Sequence, residues 1–159
     1  MVYEVNPPLK KQYIYSVTNN VGIVVREVVS LYRINNRLCS AMQDRADNAN
    51  DSVEKEKLSK THSDLLSLRK KVRDLLVRFY RLQRDLEITV SKKFSKAKIR
   101  QKFLDAQELT KEGIKLEKRI YEIGGQLYGD ENWKPDEEWV ALGEDALDES
   151  AIRSEALSD

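Results

Sequence analysis

Residues 58–89 read LSKTHSDLLSLRKKVRDLLVRFYRLQRDLEIT, and their apolar side chains recur in alternating steps of three and four. Leu58, Leu65, Val72, Phe79 and Leu86 take the first position of a heptad; Thr61, Leu68, Leu75, Leu82 and Thr89 take the fourth, so eight of ten seam positions are apolar. A strand places alternate residues on one face, whereas a helix repeats its face about every 3.5 residues. The spacing therefore predicts a long helix with one side against a partner helix. Asp51 followed by Glu54 resembles a capping box, which starts this helix just after the polar run Asp44 to Asp51.

Downstream, Ile99, Ala106, Gly113, Ile120 and Leu127 form a second seam with Leu109, Leu116 and Ile123, Lys102 being its one poor fit. This seam is one residue out of phase with the first. Phe94, Ser95 and Ile99 have the spacing of a hydrophobic staple around an N-cap, which places a helix break near 91–95. No Pro or Gly stands there, so the alternative is one continuous helix with a local irregularity.

Upstream, Val17, Val24, Leu31 and Leu38 alternate with Ile14, Val21, Val28, Asn35 and Met42, while Val25, Val29, Tyr32 and Cys39 add a neighbouring stripe. Such breadth suits a helix packed against two neighbours. The β-branched run Val21-Gly22-Ile23-Val24-Val25 also fits a strand, but the helical pattern continues past it without turn residues. Arg26 and Glu27 would fall at the centre of a membrane span, at about 2.5–3.5 kcal/mol each, which argues against one. Asn6-Pro7-Pro8 reads as a cap with first-turn prolines. Asn35, polar at an apolar seam position, fits either a register-fixing residue or a water-satisfied surface amide. The expected fold class is all-α: an elongated three-helix bundle or coiled-coil hairpin, with helices at about 7–47, 52–90 and 95–128, and an acidic C-terminal tail. A 40-residue helix is about 60 Å long, so a rod is expected.

Charge divides the chain. Residues 1–129 carry 26 basic and 16 acidic side chains, whereas residues 130–159 carry 2 basic and 11 acidic ones, so the formal charge of +1 for the 159 residues is a cancellation of +10 and −9. Within 55–102 there are 16 Lys and Arg against 5 Asp and Glu. The candidate polyanion-binding residues are Arg69, Lys70, Lys71, Arg73, Arg78, Arg81, Arg84, Lys92 and Lys93, with Tyr80 between arginines as a stacking candidate. The bland reading of the same residues is a solvated helix face. Beyond the helix-stop residues Gly124, Gly125 and Gly129, the tail interleaves carboxylates with Trp133, Trp139, Val140, Leu142 and Leu147. Repulsion among carboxylates predicts an extended or loosely helical tail, and its apolar residues predict a docking segment that folds on a partner. Its target is this chain's own basic surface, a second copy, or another basic protein.

Chemistry is sparse. Cys39 and His62 are single representatives of their types, and no Glu-x-x-His, His-x-x-x-His or Cys-x-x-Cys spacing occurs, so no metal site and no cofactor is expected. In a hairpin turning near 48–52, Cys39 and His62 lie about equally far from the turn, yet a helical hairpin supplies neither an oxyanion hole nor a cleft. Gly124-Gly125 lacks the context of a phosphate loop, and Asn50-Asp51-Ser52 matches a glycosylation sequon by chance. A lone cysteine suggests a reducing, intracellular setting or an assembly formed there, and the N-terminus has no basic start or apolar h-region pointing to export. The expected function is a non-catalytic structural or assembly protein, in homo- or hetero-oligomers and without a membrane partner. The alternative is a nucleic-acid-associated factor that contacts the phosphate backbone through 69–102.

Overall fold

A computed structural model of the chain describes residues 11–90, 96–140 and 146–158, and these residues are all-helical, with no strand among them. Helix α1 spans Lys11–Asp47, α2 Ser52–Val90 and α3 Lys96–Tyr128; a single turn α4, Glu137–Val140, and the helix α5, Ala146–Leu157, follow. The expected helix start at 7–10, the expected break at 91–95, and Lys92, Lys93 and Leu142 lie outside the described residues.

Cross-helix pairs fix the directions of the three long helices. Gly22 lies opposite Gln83, and Arg69 donates to the Tyr32 hydroxyl, so α1 and α2 run antiparallel. Lys102 meets Asp85, and Arg78 meets Glu112, so α2 and α3 are also antiparallel. Gly113 lies near Val28, and Arg45 donates to the Leu127 carbonyl, so α1 and α3 rise together. The last contact also supplies a donor to a C-terminal carbonyl of α3 that no intrahelical N–H can reach.

The seam positions supply the core. Leu65, Val72, Leu75, Phe79 and Leu86 of α2 are buried with Leu31, Leu38 and Met42 of α1 and Ile99, Ile120 and Ile123 of α3. Asn35 is fully buried among them: its carbonyl oxygen accepts from the Cys39 thiol at 3.6 Å, and its Nδ2 has no partner among the described residues. Asp51 caps α2, its carboxylate accepting from the Val53 amide at 3.0 Å. Helix α3 runs through Gly124 and Gly125, which the sequence suggests as stops, and ends at Gly129, whose φ is +66°. The Asp130 amide reaches back to the Gly125 carbonyl at 3.0 Å, the longer of the two bonds of a Schellman ending. No helix among the described residues is long and apolar enough to cross a membrane.

Candidate interaction surface

Beside its seam, α2 carries a second stripe. Leu66, Arg69, Arg73, Leu76 and Tyr80 follow one another at three- and four-residue steps, so they share a face one position round from the core seam. Leu76 and Tyr80 are buried on this face, α5 packs on α2 with Arg153 over the Tyr80 ring, and Ile152 and Ala156 of α5 are buried as well. An acidic helix thus lies on an arginine-rimmed groove with an apolar floor.

The polar contacts follow the charges. Arg33 of α1 grips the Glu149 carboxylate with two nitrogens, Nε on Oε1 and Nη2 on Oε2 at 2.9 Å, and its Nη1 donates to the Val140 carbonyl at 2.9 Å. Both side chains of this pair are well shielded, at 14% and 16% exposure, so water screens it little and its fork geometry favours it strongly. Arg73 pairs with Glu155, Arg69 lies 3.5 Å from Asp148, and Arg81 donates to the Ala156 carbonyl near the C-terminus of α5. A cation at that end of a helix also meets the negative end of its dipole. Arg153 of α5 returns the favour by stacking over the Tyr80 ring, 5.8 Å from its centroid.

These contacts shift the ionisable groups in matching directions. The Tyr32 hydroxyl accepting from Arg69 holds that guanidinium still more firmly protonated, with Asp148 adding to it. The hydrogen bond with Arg73 lowers the Glu155 carboxyl and raises Arg73. Burial raises the Tyr80 phenol, and the charge of Glu149 raises it further. On α3, burial raises Glu117, and the charge of Glu27 raises it further.

The segment between α3 and α5 is held by aromatic packing. Trp133 stacks on Tyr128 at 5.7 Å and meets Tyr121 and Trp139 edge-on at 6.0 and 5.3 Å. It lies against the bare backbone of Gly124, where an added Cβ would come within 2.3 Å of the indole. Gly124 therefore provides a seat for a ring. Arg45 stacks over Tyr128 at 5.7 Å and joins this cluster to the end of α1.

Each candidate residue within the described set has a place. Arg69, Arg73 and Arg81 meet α5; Arg78 pairs with Glu112 of α3 through two bonds of 2.8 and 3.0 Å; Arg84 lies 3.8 Å from its neighbour Asp85. Lys70 and Lys71 are exposed and make no ion pair among the described residues. Trp133 and Trp139 join the aromatic cluster, the Val140 carbonyl receives Arg33, and Leu147 lies in α5 with its side chain outside the described set. Arg33 is absent from the candidates read from the sequence although it makes a well-shielded ion pair. Its position next to Tyr32, at the edge of the wide apolar stripe of α1, was the available signal.

The remaining reactive groups do not converge. Cys39 is buried and its thiol is pushed up to about 11 by desolvation, so it is protonated at neutral pH and a poor nucleophile. No hydrogen bond joins Cys39 to the half-exposed His62, and no group of three or more metal-ligating side chains occurs among the described residues. Compared with protein-family models, curated proteins and solved structures, the chain matches none.

Proposed function

We propose that this chain is a non-catalytic assembly protein: an elongated three-helix bundle, its first two helices forming a coiled-coil hairpin, that binds other protein subunits through its helical faces. The acidic C-terminal segment, residues 130–159, is its partner-binding element. The observation that carries the reading is the seating of α5 on the groove of α1 and α2, with Arg33, Arg69, Arg73 and Arg81 turned toward its carboxylates and terminal carbonyl. The groove has an apolar floor in Leu76 and Tyr80. An amphipathic helix uses charge and apolar floor together, whereas a phosphate backbone uses only the charge. The lone, buried thiol suits a reducing compartment.

The nucleic-acid reading keeps one argument, the basic excess of 16 against 5 over residues 55–102. In that case α5 competes with phosphate for the arginines of 69–102. Light scattering over a tenfold concentration range, with a gel shift at 50 and 200 mM salt, separates the two. The assembly reading gives no shift, and where the subunits are copies of this chain it gives a mass above the 18.5 kDa monomer. A monomer that shifts nucleic acid at 50 mM salt and loses about 10²–10³-fold affinity at 200 mM overturns it.

A further inference from the structure

We propose that the groove beneath α5 is a receptor for an acidic amphipathic helix of another protein, and that α5 is its resident, displaceable occupant; the proposal rests on the assembly reading above. Charge defines the ligand class, since four arginines from two helices line a site that α5 meets with Asp148, Glu149 and Glu155. Fit defines it further, because α5 fills the groove incompletely. A space of about 350 Å³ stays open beside it, with Tyr32, Leu66, Ala151 and Ile152 in its lining among the charged Arg69, Lys70, Arg73 and Asp148. Leu66, which lines that space, is 43% exposed, and the one small side chain that α5 contributes to the lining, beside Asp148 and Ile152, is Ala151.

Two of the three ion pairs that hold α5 are also open to water. The Arg69–Asp148 and Arg73–Glu155 side chains are a third to a half exposed, and pairs of that kind contribute little. The resident helix thus combines one strong pair, two weak ones, the Arg81 bond to its terminal carbonyl, the Arg153–Tyr80 stack and a small apolar anchor. A better occupant keeps carboxylates at the positions of Glu149 and Glu155, an aliphatic residue at that of Ile152, and places a large apolar side chain where Ala151 stands. Such a helix covers Leu66 and displaces α5. A second copy of this chain does not meet the description, because its own α5 carries the same alanine and offers nothing that the resident lacks.

The test uses full-length protein and two fluorescent peptides with the sequence of residues 146–158, one native and one carrying A151L. Two variants release the resident helix by different routes: E149R/E155R reverses its charges and keeps its apolar side chains, and I152D removes its apolar anchor. Circular dichroism checks that each keeps its helices. The A151L peptide should bind either released variant about tenfold or more tightly than it binds wild-type protein, and about tenfold more tightly than the native peptide does. Adding R33E to a released variant should remove the binding. The proposal is overturned if neither released variant gains affinity over wild type, or if A151L brings no gain. It is equally overturned if release of α5 converts a dimer to monomers in light scattering, because the occupant is then a second copy. Loss of peptide binding with the oligomeric mass intact removes this proposal and leaves the assembly reading standing.

Discussion

A guanidinium matched by two nitrogens to one shielded carboxylate loses more on truncation than a pair washed by water. Arg33→Gln should therefore weaken the docking of α5 by about 1.5–3 kcal/mol, and Arg73→Gln by less than about 1, as measured by amide exchange across 146–157. Glycine substitutions separate in sign. Gly124→Ala drives a methyl group into the Trp133 ring and should cost about 1–3 kcal/mol with a red shift of tryptophan emission, whereas Gly22→Ala meets only the Gln83 amide at an ordinary 3.8 Å and should gain about 0.5–1 kcal/mol in thermal unfolding. pH acts through two carboxyls in opposite senses. Arg73 depresses Glu155, so the contribution of Glu155 is complete above the ordinary carboxyl value of 4.5 and is lost as pH falls through its lower folded value. Glu117 is raised by burial beside Glu27, so its contribution is complete below 4.5 and is lost as pH rises through its higher folded value. Acidification below pH 4.5 should thus speed exchange in α5 while the α1–α3 contact around Glu117 keeps its full contribution.

At the scale of the helix, burial follows the seam. Leu75 is fully buried and Lys71 is exposed, so Leu75→Ala should cost about 2–5 kcal/mol in denaturant unfolding and Lys71→Ala within about 0.5. Ala151→Leu in the full chain should stabilise α5 by covering Leu66, visible as slower exchange in 146–157. The seam was legible because its apolar residues keep a local period: Leu65, Val72, Phe79 and Leu86 declare a helix face without reference to anything else in the chain. The second stripe was not. Arg69, Arg73, Leu76 and Tyr80 mix cations with apolar groups, which reads equally as a solvated face or a polyanion site until the carboxylates some 80 residues away are placed beside them. Gly124 illustrates the same limit. Its helix-breaking tendency is a local property, whereas the demand for a side-chain-free surface comes from Trp133, which packs there only once the chain has turned at Gly129.

Over the whole molecule, the near-neutral sum of charges becomes a spatial arrangement. The excess of positive charge in the body lies partly under the excess of negative charge in the tail, and the acidic segment that repulsion would keep extended is helical where arginines neutralise it. Counting carboxylates within the tail alone suggests an extended segment, whereas the chain's own basic surface, one of the three targets expected for the tail, carries α5 in the structure. Attraction of this kind is screened by salt at its exposed pairs and resists salt at the shielded one, so raising ionic strength should loosen the Arg69 and Arg73 contacts before the Arg33 contact. The most direct measurement is a charge-swap cycle read by hydrogen exchange in α5: wild type, R33E, E149R, and R33E with E149R, each at two protein concentrations. Docking on the α1–α2 groove predicts protection of 146–157 in wild type, its loss in each single variant, and its recovery in the double variant, independent of concentration. Equal protection in all four proteins, or loss in the double variant as deep as the two single losses combined, would contradict it.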